Sequence, residues 1–149
     1  MALRDVKEED LPILFEHQRE PEANQMAAWP PRDYDAFMTH WHKNVLGNAT
    51  ATKKTIVVDG EVVGNIGSWD QDGKRLIGYW IAKAYWGRGV ATAALSELLA
   101  DHDSTRPIYA HVARRNVGSI RVLEKCGFVP ADEAESEHDS VEVLMQLLH

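Results

Sequence analysis

Three groups of residues in this chain have the types and spacing to do chemistry. The first is Gly87-Arg88-Gly89 followed by Val90-Ala91-Thr92. It lies between an apolar run, Ile77-Gly78-Tyr79-Trp80-Ile81, and a stretch in which Val90, Ala91, Ala94, Leu95, Leu98 and Leu99 recur at helical spacing. Read as strand, tight turn and helix, this places the unpaired N–H groups of a helix's first turn, Gly89 to Thr92, behind two glycines that let a ligand come close. With the helix dipole added, such a start suits a phosphate or pyrophosphate. Gly-x-Gly at a strand–helix junction also occurs as turn chemistry alone. Two nucleotide fingerprints are excluded. A dinucleotide loop puts Gly or Ala where this chain has Thr92, and an acid about 20 residues on, whereas 104–109 has none; a Walker loop needs Gly-Lys-Ser/Thr, also missing.

The second group is Asn116 and Ser119, which share a face at the start of a helix, with Leu123 one turn further along the same stripe. Alone, Asn116 reads as an N-cap. Beside the glycine turn, the two polar side chains would stand at the groove onto which its N–H groups open. The third is His111 on a strand at 108–112, a candidate base acting directly or through a water, and otherwise an ordinary strand histidine.

At 149 residues, 44% hydrophobic and 26% charged, the chain suffices for one domain, 1–149, with one core. The formal net charge of -7 speaks against nucleic acid as a partner and favours cationic substrates such as amines. A polyanion at the glycine turn then needs local cations, for which Arg88, Arg114, Arg115 and Arg121 are candidates. No apolar run reaches membrane-spanning length and MALRDVKEED is too acidic for a signal peptide, so a cytoplasmic location without membrane association is expected. Cys126, the single cysteine, reads as a small core residue rather than a nucleophile. Among the seven histidines only His40 and His42 are closely spaced, and they point to different sides of a helix, so no metal is expected.

The elements that position these groups follow from pattern. Leu3 to Val6 reads as an edge strand, and Glu8 to Glu20 as a helix with acids in its first turn and Pro12 near its start. Pro21 to Pro31 is a short helix or a loop over a pocket. A helix over Asp33 to Val45 carries Tyr34, Phe37, Met38 and Trp41 as a stripe that reads as core. Thr55 to Val58, Asp59-Gly60 and Glu61 to Ser68 form a hairpin, and Asp72-Gly73 turns into a strand at 75–82. A helix over 90–100 joins that strand to one at Pro107 to Val112, which makes the two parallel. A helix from Asn116 to Cys126 ends in a Schellman stop at Gly127 and Phe128. An acidic loop at 131–140 precedes a last strand, Val141 to Leu148.

The layout of W-G-R-G-V-A-T after a strand, with N-V-G-S-I-R-V-L-E-K-C-G-F beyond the next one, resembles the GNAT superfamily of acyl-CoA-dependent N-acyltransferases. Trp86-Gly87 and the position of Ser119 look most like the branch containing the ribosomal-protein N-terminal acetyltransferases. The resemblance covers nearly the full length. It implies an α+β fold, a mixed and mostly antiparallel twisted sheet with helices on both faces, split between the strands at 77–81 and 108–112 to admit the pantetheine arm of acetyl-CoA. The backbone of Tyr79, Trp80 and Ile81 would bond the arm and polarise the thioester carbonyl. Amides of Gly87, Arg88, Gly89, Val90, Ala91 and Thr92 would hold the pyrophosphate. Asn116 would bond the pantetheine, and Ser119 would lie near the sulfur.

Two departures bear on mechanism. The family's usual Gln or Arg before its glycines is Trp86, and the tyrosine that often protonates the leaving thiolate is Leu123. A thiol of pKa about 8.5 leaves fairly well near neutral pH, so Ser119 or water could serve as the acid. Deprotonating the nucleophile at pH 7 costs roughly 1 kcal/mol for an α-amine but roughly 4.6 kcal/mol for a lysine-like amine. Leu76 stands where close relatives have a glutamate, so besides His111 no base is evident. Glu22, Asn24, Asn65 and Trp80 could line the acceptor pocket. The expectation is direct transfer from acetyl-CoA to a primary amine, a protein or peptide α-amine or a small molecule, in a ternary complex of a monomer or homodimer. The alternative is a non-catalytic acyl-CoA-binding or sensing module.

Overall fold

A computed structural model describes residues 1–22, 32–131 and 142–149. The segment Pro21 to Pro31 and the acidic loop at 131–140 fall largely outside the described residues, and Asn24 with them. Strand β1 (Ala2–Asp5) leads through a 3-10 turn into α1 (Leu11–His17). Then come α2 (Tyr34–His40), prolonged by a wider turn Trp41–Val45, and the meander β2 (Thr52–Val58), β3 (Glu61–Gln71) and β4 (Lys74–Ile81). The chain continues through α3 (Val90–Glu97), prolonged over Leu98–His102, to β5 (Ile108–Ala113), α4 (Val117–Lys125), β6 (Val129–Pro130) and β7 (Glu142–Leu147).

Seven strands form one sheet in the order β1-β2-β3-β4-β5-β7-β6, antiparallel throughout except where β5 runs parallel to β4. Both two-residue turns of the meander hold the left-handed conformation that a twisted hairpin requires: Asp59 and Gly60 have φ of 51° and 82°, Asp72 and Gly73 52° and 78°. One correction to the sequence reading concerns α1, which stops at His17 rather than Glu20. Gln18 already shares its N–H between the Leu14 and Phe15 carbonyls, and the residue before Pro21 disfavours helical backbone.

Each face of the sheet carries a core. On one, α3 and α4 cover Ile66, Ile77, Leu95, Ile108, Phe128 and Met145; on the other, α1 and α2 cover a smaller cluster of Leu11, Leu14, Phe37 and Trp41. The aromatic stripe of α2 is therefore largely core, as its spacing indicates, although Tyr34 lies at the exposed edge against Phe15. A buried carboxylate anchors each side. Asp10 takes both terminal nitrogens of Arg4 at 2.8 Å and the Thr55 hydroxyl at 2.9 Å. Asp103, just past α3, takes the Ser68 hydroxyl at 2.5 Å and Arg75 Nε at 2.9 Å. Burial pushes the Asp103 carboxyl up, but hydrogen bonds from Ser68, Thr105 and Arg75 outweigh it and hold it at about 2.

Candidate active site

Strands β4 and β5 share one ladder pair among the described residues, Leu76 with Tyr109, and part beyond it. The phase of β4 decides what faces the gap. Ala82 donates to Val63 on β3, and the Trp80 carbonyl lies against Gly64 of β3, so even-numbered residues bond the meander. The backbone groups of Tyr79 and Ile81 then point into the split, whereas those of Trp80 point away from it. The Ile81 carbonyl is already occupied: Trp86 Nε1 donates to it at 2.9 Å, bracing the turn that follows. Of the three strand residues expected to bond a ligand, Tyr79 is left with both backbone groups facing the gap.

The split widens into a cleft of about 410 Å³ that runs between the starts of α3 and α4. Gly87 and Gly89 have φ of 76° and 77°, and a Cβ at either would meet no protein atom within 4 Å. Their glycine requirement comes from left-handed backbone, and the space in front of them is open to a ligand. Gly89 is the N-cap of α3 and offers no side chain to the first turn, so the turn's N–H groups face the cleft with the positive end of the helix dipole behind them. Val90, Ala91 and Thr92 line the same wall.

Across the cleft, α4 begins with Asn116, whose Oδ1 accepts from the Ser119 N–H at 3.2 Å. The N-cap reading of Asn116 therefore holds, and its side chain also lines the cleft. Ser119 lies within hydrogen-bond reach of Tyr79, with Tyr79 Oη and Ser119 Oγ 2.5 Å apart. Burial pushes the Tyr79 hydroxyl up to about 12. Arg121 and Lys125, one helical turn apart on α4, add positive charge to the cleft wall against the overall negative balance of the chain.

The cleft unites all the expected cofactor residues except Arg88, which turns out over the Tyr85 ring at 5.2 Å from its centroid. Arg114 and Arg115 are not among its lining residues either. His111 is likewise outside: its side chain is 47% exposed, with Nδ1 3.9 Å from Glu142. Leu76 and Leu123 are both buried, Leu123 within the core under α3 and α4. Sequence reasoning missed Lys125 and the Tyr79 hydroxyl. The first was detectable as the residue one turn beyond Arg121, the second from the shared phase of Ile77, Tyr79 and Ile81 toward the helices.

On the α1 side of the sheet, Asn65 and Trp80 sit opposite one another in the β3–β4 register, and Trp80 Nε1 donates to the His17 carbonyl at 3.2 Å. Asn65 Nδ2 and His17 Nδ1 are buried without a hydrogen-bond partner among the described residues. Burial lowers the His17 pKa, which keeps the ring neutral near pH 7. Glu22 pairs with Lys83 at 2.8 Å. No cluster of metal-ligating side chains exists among the described residues, and no helix among them is long and apolar enough to cross a membrane.

A split sheet with a glycine-capped helix start on one wall and a serine beside the opposite helix start forms a cleft suited to a long ligand with an anionic end. The chain belongs to the GNAT acetyltransferases: residues 1–129 match the family model described as "Acetyltransferase (GNAT) domain". Among solved structures, spermidine N-acetyltransferase from Vibrio cholerae in complex with CoA and spermine superposes with a TM-score of 0.79 at 19% identity, covering 99% of this chain and 94% of that one. An aminoglycoside acetyltransferase in complex with coenzyme A and kanamycin gives 0.75 at 25% identity, with 99% and 94% covered. A domain from Methanocaldococcus jannaschii gives 0.80 at 15%, with 99% and 97% covered. No curated protein sequence matches the chain. The activity of this fold and family is N-acetyl transfer with acetyl-CoA as cosubstrate.

Proposed function

We propose that this chain moves the acetyl group of acetyl-CoA to a primary amine, either a small-molecule amine or the α-amine of a peptide or protein, by direct attack in a ternary complex. The observation that carries this is the split of β4 from β5 opening onto the left-handed glycine start of α3. Pyrophosphate sits on the amides from Gly87 to Thr92, the adenosine end meets Arg121 and Lys125, and the arm runs up the split along the backbone of Tyr79. The thioester carbonyl then lies where that backbone can polarise it, a fixed dipole aimed at charge that grows as the amine attacks. Asn116 contributes through its cap and by closing one wall.

The cleft lining contains no carboxylate and no histidine among the described residues, and the one carboxylate assigned to the acceptor side, Glu22, is paired with Lys83 at 2.8 Å. That favours an acceptor arriving already partly deprotonated, an α-amine or a small amine of low pKa, over a lysine side chain. Polyamine and aminoglycoside acceptors of the superposed enzymes support a small molecule. Asn65, Trp80 and Glu22 are the residues assigned to the acceptor side in this reading, supported by the place of Asn65 and Trp80 on the α1 side of the sheet. The same lack of a base favours one second reading, a module that binds acyl-CoA without turning it over.

Thiol release decides between them. The purified protein with acetyl-CoA is offered polyamines, aminoglycosides, peptides with free N-termini and N-terminally blocked lysine peptides. Release with any of the first three classes exceeding that with blocked lysine peptides supports the proposal, and release confined to N-terminal peptides and aminoglycosides supports its low-pKa form, since polyamine amines are as basic as lysine. Faster lysine acetylation overturns the acceptor assignment. Thermal stabilisation by acetyl-CoA without thiol release from any amine leaves the binding module.

A further inference from the structure

The acyl transfer forms a C–N bond and breaks a C–S bond, so the sulfur leaves with an electron pair and afterwards takes up a proton while the amine loses one to water. Something must stabilise that sulfur as it leaves, and Leu123, buried in the core, has no polar atom to do so. Of the four hydroxyl-bearing residues that line the cleft, Tyr79, Tyr85, Thr92 and Ser119, two are bonded to each other: Tyr79 Oη and Ser119 Oγ, 2.5 Å apart. Building on the acetyltransferase reading above, we propose that Ser119 donates its O–H to the departing thiolate and that Tyr79, by donating its own O–H to Ser119, is the positioning residue that turns the serine proton toward the sulfur.

The donor count gives the direction. A serine hydroxyl has one proton and two acceptor sites. With Tyr79 donating to Oγ, the serine cannot return its proton to the tyrosine and has it free for the cleft. Tyr79 Oη is also 3.4 Å from the Ser119 carbonyl, but that longer contact is the weaker competitor for its proton. The raised pKa of the phenol keeps it protonated, and hence a donor, across the working range. Ser119 is fixed at its other end too, because Asn116 accepts its backbone N–H. A hydroxyl held by Tyr79 on a backbone fixed by the Asn116 cap presents its proton in one direction before the charge develops, which is the condition under which a single donor is effective.

The test uses Tyr79→Phe, Ser119→Ala, the double variant and Ser119→Thr, with acetyl-CoA affinity from thermal shift and kcat from thiol release measured on each. Expected are kcat losses of about 10- to 100-fold in either single variant, toward the low side of what one positioned donor contributes. Acetyl-CoA Kd should stay within about twofold of wild type, since only transition-state interactions are removed. The double variant should lose no more than the worse single one, because the two act as a unit. Ser119→Thr, which keeps a hydroxyl, should recover most of the rate. Wild-type kcat in Tyr79→Phe, losses that multiply in the double variant, or losses that fall in Kd rather than kcat would each overturn the pairing. Absence of thiol release by the wild type with every amine overturns the acetyltransferase reading itself, and this inference with it.

Discussion

The two helices that flank the cleft start in opposite ways. Helix α4 is capped from within, its first turn satisfied by the Asn116 side chain. Helix α3 begins at a left-handed glycine with no capping side chain, so its first N–H groups remain for something outside the chain. A helix start that the protein completes needs nothing from outside, and one that it leaves incomplete is open to water or to an anion. Asn116 and Gly89, each placed at a helix start, therefore leave different groups free toward the cleft. The contrast also explains why α3 must be held from its far end, where Asp103 ties the chain to Ser68 and Arg75 on the sheet.

The sharpest way to break this contrast is to complete α3. Gly89→Glu places a carboxylate at the open start and forces a side chain into φ of 77°. Acetyl-CoA Kd should rise by at least 100-fold, about 2.8 kcal/mol, in a thermal-shift titration. Gly89→Ala isolates the backbone strain, about 1 kcal/mol of stability, and should retain measurable binding.

Next in size is the anchor. The folded pKa of Asp103 lies below its ordinary value, so its stabilisation is complete above the unfolded pKa and is lost as pH falls through about 2. Asp103→Asn should be less stable than wild type by about 2 kcal/mol at pH 6, with the gap closing toward pH 2 in acid denaturation curves. Smaller again is Asn116→Ala. Loss of the cap should lower stability by about 1 kcal/mol, a Tm drop of about 2–4 °C, with Asn116→Asp restoring it. The smallest effect belongs to Lys125→Ala, expected to raise acetyl-CoA Kd by about three- to fivefold at low salt and by less at high salt.

What could be read from the sequence was local. Asp-Gly at both hairpin turns, paired glycines ahead of α3 and Gly127-Phe128 after α4 each require a particular backbone, so residue type alone reveals them. The Schellman stop is an instance: Phe128 N–H reaches the Leu123 carbonyl at 3.0 Å and Gly127 N–H the Glu124 carbonyl at 3.0 Å. What escaped was relative phase between distant elements. That Tyr79 and Ser119 meet depends on how β4 and α4 are rotated about their own axes, and that Trp80 turns its backbone away depends on pairing with β3. The Arg88 side chain follows the same rule: its neighbours on the turn line the cleft while its guanidinium lies over Tyr85, which leaves only its backbone amide for the turn. His111 alternates on β5 with the buried Ala110 and Val112, so the pleat carries it away from their face.

The single ladder pair between β4 and β5 also has a consequence for dynamics. The sheet is two half-sheets, β1–β4 and β5–β7, with Leu76 and Tyr109 as the only backbone rung between them among the described residues. Segments joined so sparsely open independently, and hydrogen exchange registers such openings amide by amide. In the free protein, the amides of Tyr79 and Ile81 should exchange faster than those of β3. A pantetheine arm lying in the gap acts as a missing eighth strand, and the protection it confers should spread from those two amides across both halves. Cosubstrate binding is then also a step that joins two mechanical units into one.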